Sequence, residues 1–408
     1  MKSSSTTDGA KNELAAAFRL VNEDNAEHCA AHKIQLVVND PLDPKRANPP
    51  PECARHREVV RKIHGLVLYI NGHKDVHAAF LTLARTKRAN ADGAKMYETL
   101  VEDVVTRWDS EYDMMDRINY FDYEILELER MPNIGIPDDL ILDRFEFDLS
   151  YAMTKVLLPF KIFTKFVQSK SVVTLAYVPR KIDELVSALA PGSFAAVLRG
   201  CADGVLAAME DFQLCLVDSI KLRFGPMFQG QSIALAARMF LPGNDLFLFQ
   251  NFEVTDETLK VVRKNILSDF VELLPPGTLE PKKVRQRALA KATLADARLT
   301  LNELAEDLDP LELWPSMPEY TLLYPSAQMH LQIPSASAEN ERSFSSASFV
   351  LDPRRTRLDL DNFRKEHRIR RHIFSSANPA ERLLASTDLI DEFAVAVNAA
   401  RAAEQENQ

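Results

Sequence analysis

Glycine is scarce in this sequence, with 12 among 408 residues beside 22 prolines. Few positions can take the left-handed backbone that tight turns need, so long helices separated by proline-marked loops are expected. Cysteine is scarcer still. Four residues with no regular spacing exclude a disulfide framework and fit a reducing compartment. No run of about 18 apolar residues occurs, so no membrane-spanning helix and no membrane partner are expected. The start, Met1-Lys-Ser-Ser-Ser-Thr-Thr-Asp8, has no apolar core and does not read as a signal peptide. Positive charge is short as well: 49 Lys and Arg face 59 Asp and Glu, for a net charge of -10. That balance excludes a broadly basic phosphate-binding surface, so any DNA contact has to be local.

What is present reads as an ordinary globular chain, 46% apolar and 26% charged, long enough for two or three domains. Leu14, Phe18 and Val21 recur at helical spacing after Asp8 and Asn12, either of which could cap a helix. Apolar positions from His56 to about Arg88 predict helices broken near Asn71-Gly72. Further helical segments are predicted from Met96 to about Arg130 and from Phe145 to Gln168. Residues 178–222 and 230–272 continue in that style, punctuated by Pro191-Gly192, Pro242-Gly243 and Pro275-Pro-Gly277. Residues 283–308 are strongly helix-forming, and a proline-studded loop follows around Trp314. Alternating strand patterns are nearly absent. No repeat or sustained heptad run appears. Local signals alone predict a mostly α-helical protein.

Four segments carry more than that. Near the C-terminus stands Pro334-Ser-Ala-Ser-Ala338, then Asn340-Glu341-Arg342-Ser343-Phe344-Ser345, then Arg354, Arg355, Arg357 and Leu358. Upstream are Thr106-Arg107-Trp108-Asp109-Ser110-Glu111-Tyr112, Cys29-Ala-Ala-His32-Lys-Ile-Gln-Leu36, and Thr6-Thr7-Asp8-Gly9-Ala10-Lys11-Asn12. In this order they resemble the motifs of the hAT superfamily of DNA transposases, with Asn340 in place of the usual Ser and Gln35 in place of Asn.

The resemblance implies a truncated RNase H-like α/β catalytic fold interrupted by a large helical insertion domain. Residues 1–32 would be the first part of the RNase H-like domain and 33–325 the insertion. Residues 295–375 would form the hAT C-terminal dimerisation region that closes the fold, and 376–408 a helical or disordered tail. Such folds use three carboxylates to hold two divalent ions, one activating the attacking oxygen and one stabilising the leaving oxygen. Asp8 matches the family's middle carboxylate and Glu341 its last, so these two are the catalytic and metal-ligand candidates, with Mg²⁺ or Mn²⁺ as the ion. Read without the family, Asp8 is a helix cap and Glu341 a surface acid. The family's first carboxylate lies well upstream of the Asp8 turn, where this chain has only seven residues. The expectation is therefore a truncated fold, lacking the N-terminal zinc finger, that alone does not cleave DNA.

The candidate DNA contacts implied by the resemblance are Arg107, Trp108, Cys29, His32, Arg342, Arg354, Arg355 and Arg357. A Trp ring beside the active site can stack on an unstacked base, worth roughly 1–3 kcal/mol. Otherwise Trp108 is a ring packed at a helix start, capped by Asp109 or Ser110. Residues 354–372 are the one dense basic stretch, and a solvated helix face explains them equally well. Cys29-x-x-His32 and Cys53-x-x-His56 suggest zinc, but the first pair belongs to the family motif and the loop between is unlike a finger, so no zinc is expected. Leu299, Leu301, Leu304, Leu311, Leu313, Trp314, Leu322, Leu323 and Leu331 could form a dimer face, although many must be core. The resulting reading is a transposase-like, nuclear protein that associates with itself as a homodimer or higher oligomer. DNA is a second candidate partner, and no small-molecule substrate is implied. The alternatives are a fragment of an active DNA-cutting enzyme and a DNA-binding regulator.

Overall fold

The computed structural model describes residues 5–7, 26–43, 49–89, 97–104, 108–169, 173–230, 232–243, 246–273, 294–298, 300–301, 309–321, 323–333 and 335–336. All of them belong to one compact unit, residues 1–336. Most are helical. Two short strands, β1 (Ser5–Thr7) and β2 (Ala26–His28), pair in parallel with Thr7 opposite His28.

A first group of helices follows β2: α1 (Ala30–Leu42), α2 (Ala54–Gly72), α3 (Lys74–Ala89), α4 (Trp108–Tyr120) and α5 (Asp122–Glu129). The break expected at Asn71-Gly72 falls between α2 and α3. The long helix expected from Met96 to Arg130 divides instead. Residues 97–104 run in extended or irregular backbone, and Phe121 separates α4 from α5. The reason is tertiary: the Tyr97 ring meets Tyr120 edge-on at 5.3 Å and Arg117 donates to the Thr99 carbonyl at 2.7 Å, so the strip is held flat against α4.

The central helix is α6 (Arg144–Val167), which touches α1, α2 and α4. Its start is fixed by sequence. Asp143 accepts from the Glu146 backbone N–H at 2.8 Å, and the Glu146 carboxylate accepts from the Asp143 N–H at 2.8 Å, a reciprocal capping box. Glu146 also holds Lys62 of α2 at 2.7 Å. Helices α7 (Val178–Ala188) and α8 (Val205–Phe224) complete the group. Gly204 precedes α8 at φ 86, a left-handed turn that favours glycine. Asp40 of α1 is buried against α8, where Arg223 holds it at 2.6 Å and Ser219 donates to it.

A second core gathers residues farther along the chain. Helix α9 (Ile233–Arg238) packs against α10 (Asp256–Leu273) and α12 (Tyr324–Leu331), with the short α11 (Pro310–Leu313) beside α12. Phe240, Val262, Ile266, Leu301, Trp314, Leu323 and Leu331 are among its buried side chains. The Trp314 indole donates to the Phe240 carbonyl at 2.9 Å. Residues 239–243 form turns, at the break that Pro242-Gly243 marks in the sequence. Arg298 accounts for this by donating to the carbonyls of Met239, Leu241 and Gly243. No described helix is long and apolar enough to cross a membrane.

Candidate functional site: the junction of the motifs

Three of the four segments singled out in the sequence come together through their described residues, Ser5–Thr7, Ala26–Ala30 and Ser335. Strand β1 carries Thr6 and Thr7 and ends one residue before Asp8; β2 ends one residue before Cys29. Because Thr7 pairs with His28 in a parallel register, both carboxyl ends point the same way. Loops at the carboxyl ends of parallel strands are where ligands commonly bind in α/β folds.

The third segment joins them through Ser335. The Ala30 backbone N–H, first in α1, donates to the Ser335 carbonyl at 2.8 Å. This satisfies one of the orphan amides at a helix start that has no side-chain cap. Ser335 is itself fully buried: its N–H donates to Thr174 Oγ1 at 3.2 Å and its hydroxyl donates to the Val167 carbonyl at 3.2 Å. Ser335 thus ties the run beginning at Pro334 to both the first helix after β2 and the end of α6. Sequence reading quoted Ser335 only as one of several small residues. Its small size and hydroxyl are what a buried crossing of three backbones requires.

Of the predicted site residues, Cys29 is buried at the start of α1 and His32 lies half-buried one turn on. Trp108 is the first residue of α4 and only 3% exposed. The Ser110 hydroxyl accepts from the Val104 N–H at 2.7 Å and donates to the Val104 carbonyl at 3.1 Å. One turn in, Glu111 has a carboxyl pushed up to about 7, first by burial and then by Asp103 and by Asp43 at the far end of α1. Asp8, Arg107, Glu341, Arg342, Arg354, Arg355 and Arg357 lie outside the described residues.

The Cys and His pairs considered for zinc are placed differently from a finger. His56 is buried and stacked on Phe212, with centroids 4.9 Å apart, and burial followed by the Arg57 charge lowers its pKa to about 4. Cys53 faces Cys215 of α8, and burial pushes both thiols up. Among the described residues no group of three or more His, Cys, Asp and Glu could hold a metal ion.

The described chain is thus largely helical, with one short parallel strand pair and Ser335 bonded to the helix that follows it. Two family models match it. Residues 27–134 match the ZBED1 RNase-like helical domain, and residues 290–366 match the hAT family C-terminal dimerisation region. Both matches on one chain support an hAT-family transposase-like protein. Comparison with curated proteins finds no match.

Proposed function

We propose that the protein acts by self-association through its C-terminal region, on an RNase H-like frame that the helices from α1 to α12 interrupt. The observation that carries this reading is the match of residues 290–366 to a dimerisation region. The frame is supported by the Thr7–His28 pairing and the Ala30–Ser335 bond, which bring the chain back after α12 to the place it left after β2. Four of the leucines and aromatics considered for a dimer face, Leu301, Trp314, Leu323 and Leu331, are buried in this chain's own core, with Leu311 and Leu313 packed against it. A partner therefore meets what lies over that core rather than those side chains; Leu299, Leu304 and Leu322 are outside the described residues. Light scattering on the eluting full chain at micromolar concentration should give a dimer or larger species. A monomer throughout would sink the proposal.

The same junction favours a second reading, metal-dependent DNA strand cleavage. Asp8 follows β1 directly, and Glu341 follows Ser335 by six residues. These two would hold Mg²⁺ or Mn²⁺, which supplies an activated oxygen nucleophile and neutralises charge on phosphorus. Both carboxylates lie outside the described residues, so cleavage ranks second. Cutting of end-labelled DNA that disappears in Asp8→Asn and Glu341→Gln would raise it to first. DNA binding by Arg354, Arg355 and Arg357, with a nuclear location, belongs to the same reading. A gel shift weakened by salt and lost on replacing the three arginines is its check.

A further inference from the structure

Two exposed helix faces remain unused by this account, and they complement each other. On α6, Tyr151, Lys155, Leu158, Ile162 and Lys165 follow one another at intervals of three and four, so they form one stripe. Tyr151, Leu158 and Ile162 are 37%, 41% and 60% exposed, and the Lys155 ammonium sits over the Tyr151 ring at 4.6 Å. No acid interrupts the stripe. On α8 the outward residues are Leu206, Glu210, Asp211, Leu214, Asp218 and Leu222, closed by Lys221. Leu206, Leu214 and Leu222 are 40%, 53% and 68% exposed. At 1.5 Å per residue the two stripes run about 21 and 24 Å.

We propose that the basic, apolar face of α6 on one copy docks against the acidic, apolar face of α8 on another, a contact separate from the C-terminal region. Clustered exposed apolar side chains mark interaction surfaces, and the flanking charges say which surface fits. Both halves of the pair lie on the same chain, match in length and are opposite in sign. The occupant is therefore a second copy. DNA suits the α6 stripe poorly, because Leu158 and Ile162 offer phosphate nothing and the chain carries a net charge of -10. The contact joins unlike faces, so repeated head to tail it extends a dimer, and paired reciprocally it closes one. Two helices of this length bury less than the roughly 1,200 Å² of a stable interface, so the association is weak, concentration-dependent and salt-sensitive.

The test is sedimentation of the full chain over a concentration series at low and high salt. One variant carries Lys155→Glu and Lys165→Glu; the other carries Glu210→Lys and Asp218→Lys. Lys165, Glu210 and Asp218 are exposed and Lys155 is half-buried, and circular dichroism checks that both variants fold. The wild type should form species beyond the C-terminal contact, each variant should weaken that step roughly tenfold, and an equal mixture of the two should restore it. Restoration occurs because each reversed face then meets a reversed partner. Variants that assemble like the wild type, or a mixture that fails to recover, overturn the proposal. So does duplex DNA binding lost in the lysine variant while assembly is unchanged. If both variants stop at a dimer, the C-terminal reading also stands; if they stop at a monomer, that reading fails and this one survives.

Discussion

Single residues carry the polar cost of this fold. Glu111 is the clearest case, a carboxyl pushed to about 7 by burial and two neighbouring acids. An acid whose folded pKa exceeds its unfolded value of 4.5 contributes stability below that value, and the contribution is lost as pH rises through about 7. Glu111→Gln should therefore match the wild type at about pH 4 and exceed it by about 1–3 kcal/mol at about pH 8 in denaturant titrations. An unchanged difference across that window would show that Glu111 is not buried as described. His56 works in the opposite direction. Held neutral on Phe212 with its pKa at about 4, it lowers stability as pH falls from its usual 6.5. Neither property is legible in the sequence, because the burial that comes first for both is made by segments distant along the chain.

Elements divide into those the local sequence specifies and those their neighbours do. Helix α6 is of the first kind: the Asp143-x-x-Glu146 pattern predicts its start within one residue of the expected Phe145. Asp143→Ala should cost about 1 kcal/mol, read as a lowered denaturation midpoint with unchanged slope. No change would mean the Lys62 contact alone holds Glu146 in place. The region 96–107 is of the second kind. Its residues allow a helix, yet aromatic and arginine contacts from α4 hold 97–104 in irregular backbone. The strand pair is also of this kind, because three-residue strands carry too few positions for an alternating pattern to show.

At the scale of the molecule, the second core is where one aromatic side chain matters most. Trp314 is buried, meets Phe240 edge-on at 5.5 Å and donates to its carbonyl. Trp314→Ala removes that volume and leaves the carbonyl without its partner, so a loss of about 3–5 kcal/mol is expected. Calorimetry of the full chain should show it as a transition at lower temperature. Because Trp314 lies within the dimerisation match, light scattering on the same variant should also show weakened association. Intact association beside the lost stability would show that the dimer contact does not depend on the packing of this core.

The sequence by itself determined the helical class, the principal breaks and the transposase-like ancestry. Helical periodicity, a capping pattern and short motifs are local properties of the chain. It left Asp8, Cys29 and Pro334 as separate marks along the chain. Only the tertiary structure brought the strand before Asp8, the helix after Cys29 and the run after Pro334 together, through the Thr7–His28 pair and the Ala30–Ser335 bond. Backbone hydrogen bonds between distant segments leave no trace in residue type beyond a small, hydroxylated Ser335. Tertiary packing likewise decided which leucines were core and which faces of α6 and α8 were left to solvent, since burial depends on what else arrives.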